Sequence, residues 1–218
     1  MDKPISIDER LKMCASLVSE NARLVDVGCD HAYLPIWLIK QNKISHAIAA
    51  DINELPLLSG KQNAESYGAD NIEFRLGSGL EPVSLEDSIT DVIIAGMGGE
   101  VIRDIVLDSP LTRDKNLNLI LQPMTRSEDL IKALYKNGFE IKTQKCVVSK
   151  NKCYTVMAVH YTGKTDNIGD TFPYLGKLDL KDETNLRFIG AHLRNLENKS
   201  KGDKSLLHLI NKIKKMIE

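Results

Sequence analysis

The chain has 218 residues, of which 42% are hydrophobic and 27% are charged, and its formal net charge is −1. These values are typical of a globular protein with one sizeable domain and an appendage, and they argue against a disordered chain. No apolar run approaches the ~20 residues that a membrane span needs, and the first residues lack the apolar core of a signal peptide. We therefore expect a cytoplasmic protein with no membrane partner.

The cysteines and histidines predict neither a disulfide framework nor a metal site. Four cysteines form no CxxC pair, so reduced thiols are expected, and five histidines are dispersed along the chain. Charge is unevenly distributed, because residues 177–218 hold ten Lys or Arg against six Asp or Glu. A basic tail on a mildly acidic body is compatible with polyanion binding, and equally with solvated helix faces.

Apolar periodicity predicts alternating strands and helices. The chain begins with an amphipathic helix over residues 7–19, with Ser6 and Glu9 in the pattern of a capping box. Five strands are predicted over 23–28, 46–51, 72–76, 91–95 and 117–122, and Pro123 is expected to stop the fifth. Helices are predicted over 33–42, 54–67, from after Gly99 to about Leu107, and over 127–137. Two β-rich runs at 139–149 and 153–161 are predicted to form an antiparallel hairpin.

This layout predicts an α/β, Rossmann-like fold. The first five strands are near-continuous apolar runs, as expected for a parallel sheet covered on both faces. A terminal antiparallel hairpin is the layout of class I S-adenosylmethionine (SAM) methyltransferases, whereas an NAD-type Rossmann domain continues with a sixth parallel strand. Two further helices over 182–200 and 203–217 predict a helical hairpin. The predicted parts are a SAM-binding domain (1–162), a linker (163–176) and a C-terminal helical hairpin (177–218).

The spacing between Gly28 and Asp51 indicates a nucleoside cofactor. Asp51 ends the second predicted strand 23 residues after the Gly28 turn, the spacing at which nucleotide-binding α/β units present an acid to ribose hydroxyls. Asp30 and Tyr33 stand where the dinucleotide fingerprint has its later glycines, which argues against NAD.

Ligands of open α/β sheets bind at the carboxyl ends of the strands, and four such ends carry the predicted cofactor contacts. The segment after strand one is expected beside the methionine part, that after strand two at the ribose, that after strand three at the adenine, and that after strand four beneath the sulfonium. The residues are, in that order, Asp26, Gly28, Cys29 and Asp30; Asp51 and Ile52; Gly77, Ser78, Gly79 and Leu80; Ala95, Gly96, Met97 and Gly98.

Six strings resemble a known family: DVGCDHAYLP, ADIN, GSGL, IIAGMGGEVIRDI, LILQPM and KNGFEI. They resemble the bacterial TrmK family, which methylates N1 of adenine 22 in tRNA, and the resemblance covers roughly residues 6–218, including a helical C-terminal extension. It implies SAM as the cofactor and tRNA as the partner. The chain departs from the family pattern at Ser78, where Asp is common, and at Met124, where Asn is common.

The chemistry of adenine N1 defines which residues are candidates for catalysis. N1 carries an in-plane lone pair and needs no deprotonation, so catalysis rests on placement and electrostatics, and a paired base must first be exposed. His31, Tyr33 and Gln122 are the candidates for positioning the base. Each has a purely structural alternative: His31 caps a helix, Tyr33 packs in the core, and Gln122 hydrogen-bonds backbone groups at the strand end. Cys29 is interpreted as a packed residue, not a nucleophile.

Other functions remain open from sequence alone. The same fold methylates other nucleobases or small molecules, and an NAD-type oxidoreductase or a non-catalytic RNA-binding protein with a vestigial SAM site are further alternatives. The sequence does not decide between a monomer and a homodimer. The lysines of the hairpin either contact RNA phosphates or form a solvated face: Lys199, Lys201, Lys204, Lys212, Lys214 and Lys215.

Overall fold

A computed structural model describes residues 5–218, and its centre is a seven-stranded sheet of order β3-β2-β1-β4-β5-β7-β6. The first five strands are parallel, and β7 is antiparallel to both β5 and β6. This order confirms the predicted class I methyltransferase layout. The strands are β1 (Arg23–Val27), β2 (His46–Asp51), β3 (Ile72–Leu76), β4 (Asp91–Gly98), β5 (Asn118–Thr125), β6 (Phe139–Ser149) and β7 (Lys152–Tyr161).

Helices cover both faces of the sheet, which is why the central strands are apolar on both sides. Leu24 of β1 packs in a core with α1, α2 and α3, whereas Val25 and Val27 pack in the core formed with α4 and α5. Fully burying each such side chain contributes roughly 1.5–3 kcal/mol. The helices are α1 (Glu9–Ser16), α2 (Tyr33–Lys40), α3 (Glu54–Tyr67), α4 (Gly99–Asp108), α5 (Ser127–Lys136), α6 (Phe172–Leu175), α7 (Glu183–Ser200) and α8 (Leu206–Ile217).

The first helix is shorter than predicted and has a different cap. It covers Glu9–Ser16, and the Asp8 carboxylate accepts a hydrogen bond from the Leu11 backbone N–H at 2.8 Å. The predicted capping box of Ser6 and Glu9 is therefore wrong. The Asp8 side chain satisfies one of the free N–H groups of the first turn, and the acid suits the positive end of the helix.

The fifth strand continues through Pro123, contrary to the prediction. β7 pairs only with residues 119–121 of β5, so the missing N–H of Pro123 removes no hydrogen bond on that side. On the other side, Pro123 lies opposite Met97, where the β4–β5 register is shifted by a bulge. Beyond the paired region, proline is therefore compatible with the strand.

The C-terminal helices form a hairpin that folds back on the sheet. Buried Phe188 and Ile189 of α7 pack in one cluster with Cys146 of β6 and with Ile210 and Ile213 of α8. Within segment 163–176, which was predicted as a linker, α6 lies against α5 with the Phe172 ring 5.0 Å from that of Tyr135. The hairpin is thus attached to the body through an apolar interface.

Candidate active site at the strand ends

A cavity of about 990 Å³ lies at the carboxyl ends of the parallel strands, and we call it the strand-end cavity. The segments that follow β1, β2 and β3, together with the end of β4, contribute to its wall, as the sequence predicted. The predicted cofactor residues that line it are Gly28, Asp51, Ile52, Gly77, Ser78, Gly79, Leu80, Ala95, Gly96 and Met97.

The turn after β1 is closed by hydrogen bonds to β2. The backbone N–H groups of Gly28 and Cys29 donate to the Ala50 carbonyl at 2.8 and 3.2 Å. These two amides are therefore not presented to a ligand. Gly28 has a φ of +70°, a left-handed conformation that favours glycine, and the flexible end of the Met97 side chain lies where a Cβ would be.

The remaining predicted cofactor residues do not line the strand-end cavity. Asp26 is buried within β1, Cys29 is buried in the core, Asp30 is exposed, and Gly98 ends β4. Burial raises the pKa of the Cys29 thiol, which makes the thiolate inaccessible at neutral pH. The interpretation of Cys29 as a packed residue is therefore consistent with its surroundings.

Asp51 is held at the cavity wall by a turn of its own making. Its Oδ1 accepts hydrogen bonds from the backbone N–H of Asn53 at 2.9 Å and from the Asn53 side-chain amide at 3.4 Å. Its backbone carbonyl accepts from the Gly77 N–H at 3.0 Å, which ties the segment after β3 to the end of β2. A carboxylate fixed in this way is suited to accept hydrogen bonds from neighbouring hydroxyls.

A partly buried ion pair, which sequence reasoning missed, shapes the loop after β3. The Arg75 guanidinium donates from Nη1 and Nη2 to the two carboxylate oxygens of Asp87, both at 2.7 Å, and from Nη1 to the Pro82 carbonyl at 2.9 Å. The hydrogen bonds from Arg75 hold the pKa of Asp87 well below its usual range. This bidentate pair closes the loop that carries Ser78.

The end of β4 is bulged, and this shapes the fourth segment of the wall. Ala95 lies opposite Gln122 and Met97 opposite Pro123, with register shifts on both sides of Met97. Gly96 has a φ of +82°. Bulges of this kind re-aim side chains next to active sites, and here the bulge allows Ala95, Gly96 and Met97 to contribute to the strand-end cavity.

Gln122 joins three elements beneath this bulge. Its Oε1 accepts hydrogen bonds from Arg10 Nη1 at 2.7 Å and from the Gly96 N–H at 3.0 Å, and its Nε2 donates to the Pro123 carbonyl at 2.9 Å. The side chain is fully buried. Both polar atoms of the amide are thus engaged within the protein. This agrees with the alternative stated from sequence, in which Gln122 satisfies backbone groups at the strand end.

Arg10 is a site residue that sequence reasoning missed. It is carried by α1, 112 residues before its hydrogen-bond partner Gln122, so no local spacing links the two positions. Its guanidinium also lowers the pKa of the buried Asp26 carboxyl, against the larger effects of burial and of Asp51, which together raise that pKa to about 7. Arg10 therefore supplies positive charge to the region where β1, β4 and β5 end.

Replacing Arg10 by Met is expected to destabilise the protein by about 1–2 kcal/mol, because a charge-assisted hydrogen bond to a buried amide is lost. Urea unfolding of Arg10→Met measures this change. Arg103→Met is the matched control, since Arg103 pairs with the exposed Asp104 on α4, and exposed pairs contribute little. Equal stability of the two variants would show that the link to Gln122 contributes nothing.

His31 and Tyr33 form a partly exposed aromatic pair. Their ring centroids lie 5.8 Å apart at 55°, the His31 side chain is 47% exposed, and Tyr33 is 39% exposed. Helix α2 has Ala32 as its N-cap and no side-chain cap hydrogen bond, so the alternative of His31 as a cap is wrong. The exposure of Tyr33 likewise contradicts the core-packing alternative.

Two further predictions concern metals and membranes. Among residues 5–218, no group of His, Cys, Asp and Glu is arranged to hold a metal ion. Over the same residues, no helix combines the length and apolar character that crossing a bilayer requires.

The sheet order and the four-part wall of the strand-end cavity define a class I SAM-dependent methyltransferase fold. Comparison with known proteins agrees: residues 7–157 match a family model described as a methyltransferase domain. A tRNA (adenine(22)-N(1))-methyltransferase from Bacillus subtilis is 34% identical over 156 residues, covering 70% of this chain. The aligned part spans 64% of that relative's length.

Two solved structures resemble the whole chain. A Streptococcus pneumoniae protein, to which a tRNA (m1A22) methyltransferase activity is ascribed, is 32% identical in a complex with S-adenosyl-L-methionine. Its TM-score is 0.87, with coverage of 98% of this chain and 100% of that one. TrmK of M. capricolum, in complex with S-adenosyl-homocysteine, is 25% identical with a TM-score of 0.79 and 97% coverage of both chains.

The chain belongs to the methyltransferase-domain family and, within it, to the TrmK family. The resemblance stated from sequence is thereby confirmed.

Proposed function

We propose that this chain is a cytoplasmic SAM-dependent tRNA methyltransferase that methylates N1 of adenine 22. The observation that carries the proposal is the strand-end cavity, in which Asp51, the Gly28 turn and the bulged end of β4 meet. The TrmK relatives support SAM as the donor and tRNA as the acceptor. A nucleoside with a polar ribose and a flat base fits a cavity that has a fixed carboxylate and apolar walls.

Different residues of the cavity contact different parts of the cofactor. Asp51 is positioned to accept hydrogen bonds from the ribose hydroxyls, with Ile52 beside it. The segment Gly77–Leu80 packs against the adenine. Ala95, Gly96 and Met97 lie beneath the sulfonium end, and Gly28 forms the turn that follows β1 at the cavity wall. When bound, SAM supplies an electrophilic methyl group. Ser78 offers a hydroxyl at the position where a family carboxylate is common, so it contributes a neutral hydrogen bond at the adenine.

The protein's part in methyl transfer is placement and electrostatics. The Arg10–Gln122 link holds the end of β4 in place, so Gln122 acts as a positioning residue in this proposal. His31 and Tyr33 are exposed next to the β1 turn, where their rings are available to stack on the target base. Adenine N1 needs no general base, so the proposal requires no residue that removes a proton from the acceptor.

Methyl transfer from labelled SAM to unmodified tRNA, followed by mass spectrometry of the nucleosides, tests the proposal. The expected product is N1-methyladenine, located at position 22 by replacing that adenine. Methylation of another base would assign the same fold a different acceptor. A chain that binds SAM and tRNA yet transfers no methyl group would favour the non-catalytic alternative.

We propose that the exposed lysines of the hairpin contribute to tRNA binding. Lys212 and Lys214 are paired with Asp170 and Glu197, so Lys204 and Lys215 are the better choice for substitution. Changing both to Ala is expected to weaken tRNA binding about three- to tenfold at low salt and to reduce the salt slope by about 2. Electrophoretic or fluorescence titration over a range of salt concentrations measures both.

The matched control replaces two exposed lysines that lie outside the hairpin, Lys115 before β5 and Lys142 of β6, by Ala. The net charge change is the same, so a general electrostatic effect would appear in both double variants. If both lose affinity equally, the hairpin lysines form a solvated face only. SAM affinity should stay unchanged in both.

A further inference from the structure

A second cavity, of about 530 Å³, lies between the end of β5 and helix α7, and we call it the hairpin cavity. Pro123 and Met124 line it from the sheet, and His192 and Asn195 line it from the helix. Pro123 directly follows Gln122, whose Nε2 donates to the Pro123 carbonyl. The hairpin cavity therefore begins one residue beyond the side chain that holds the strand-end site together.

Aromatic rings form part of its wall, namely those of Tyr154, Tyr174, Phe188 and His192. The His192 ring lies 4.7 Å from that of Phe188 and 5.9 Å from that of Tyr174, both edge to face. Rings that fix one another present flat surfaces with little loss of side-chain entropy, and nucleobases stack on such surfaces.

The rim of the hairpin cavity carries positive charge. Arg126 and Lys199 both line it and both are exposed. Arg126 forms an ion pair with Glu100 at 2.9 Å, whereas Lys199 lies on α7 of the hairpin. Cations at the mouth of an aromatic-walled cavity match a base whose phosphates remain outside.

Glu128 lines the same cavity and is incompletely paired by the protein. Its Oε2 is buried and accepts no hydrogen bond from the described residues, and His192 Nδ1 lies 3.8 Å from it. Burial lowers the pKa of His192, so this imidazole is neutral at pH 7. A carboxylate oxygen that is buried without a hydrogen-bond donor gains from a ligand that brings N–H groups, and nucleobases carry such donors on their edges.

We propose that the hairpin cavity binds an unpaired nucleobase of the RNA substrate, near the base that is methylated. The base stacks on the aromatic wall, and its ring N–H or exocyclic amine donates to Glu128. This inference rests on the proposed tRNA methyltransferase function and extends it, because it gives α7 a direct part in holding the RNA in its opened form.

The direction in which the affinity for tRNA changes when Glu128 is neutralised tests this inference. If the carboxylate merely faces RNA, Glu128→Gln removes repulsion and tightens binding. If it accepts N–H donors from a base, the same substitution weakens the binding of unmodified tRNA about tenfold and raises KM more than it lowers kcat. Asp129→Asn is the matched control, since Asp129 lies one position along and does not line the cavity; we expect its affinity to stay within about twofold of wild type.

A second variant blocks the cavity without touching its buried polar groups. Asn195 is exposed on α7 and lines the cavity, so Asn195→Trp is expected to fill the mouth, leave thermal stability and SAM affinity unchanged, and weaken tRNA binding in the same direction. Tighter or unchanged tRNA binding by both Glu128→Gln and Asn195→Trp would overturn the inference. Because binding is measured separately from transfer, a wild-type chain that binds tRNA but does not methylate it would instead refute the proposed function.

Discussion

Asp51→Asn is expected to lower the affinity for SAM about 100-fold. Two hydrogen bonds from ribose hydroxyls to a carboxylate are replaced by contacts to a neutral amide, and hydrogen bonds to charged groups contribute about 1.5–3 kcal/mol each. The local turn is preserved, because the Asn carbonyl can still accept from the Asn53 backbone N–H, as Oδ1 does at 2.9 Å. Isothermal titration of the purified chain with SAM measures the change.

Asp70→Asn is the control for this experiment. Asp70 is exposed and precedes β3, at the end of the strands opposite to the strand-end cavity, so neutralising it leaves SAM affinity unchanged. Full affinity in Asp51→Asn would remove Asp51 from the ribose site. A loss of tRNA binding without a loss of SAM affinity would assign the carboxylate to the acceptor instead of the donor.

The second large effect concerns the stability of the ligand-free protein against pH. Burial, and then Asp51, raise the pKa of Asp26 from 3.8 to about 7 in the folded state. A raised folded-state pKa contributes stability that is fully present below pH 4 and is lost as the pH rises through 7. At pH 8 the buried carboxylate therefore costs up to about 4 kcal/mol relative to its protonated form.

Asp26→Asn is accordingly expected to be more stable than wild type at pH 8, and to lose the part of the pH dependence between pH 4 and 7 that belongs to Asp26. Urea unfolding at several pH values measures both quantities. Asp30→Asn, at an exposed position with 76% of its side chain accessible, should keep the wild-type slope. A slope shared by all three proteins would mean that Asp26 keeps the same protonation in the folded and unfolded states.

The strands and the main segments that line the strand-end cavity could be predicted because their signals are local. Apolar runs marked the strands, and the distance from Gly28 to Asp51 placed an acid at the end of β2. The hairpin order followed from two β-rich runs after five parallel strands. Each of these inferences depends on residues close together in sequence, where periodicity and turn chemistry carry the information.

The rest depended on contacts between distant residues. Nothing near Arg10 indicates that it reaches Gln122, and nothing near Gly28 indicates that Met97 lies over it. The use of the Gly28 and Cys29 amides by the Ala50 carbonyl could not be read from a glycine turn alone. The prediction that Pro123 ends the fifth strand was wrong because a strand tolerates proline where the neighbouring strand no longer pairs with it. That is a property of the sheet and not of the single strand.

The bond between Arg10 and Gln122 has a consequence for how the chain matures during synthesis. A chain growing from its amino end carries Arg10 and the acid Asp26 long before it carries the amide that accepts from Arg10. Until β5 has emerged, the bulge at Gly96 lacks the acceptor that fixes it. Nascent chains cut short before β5 should therefore contain most of the nucleoside-binding motifs and still fail to retain the ligand, because closing so distant a contact comes late in folding.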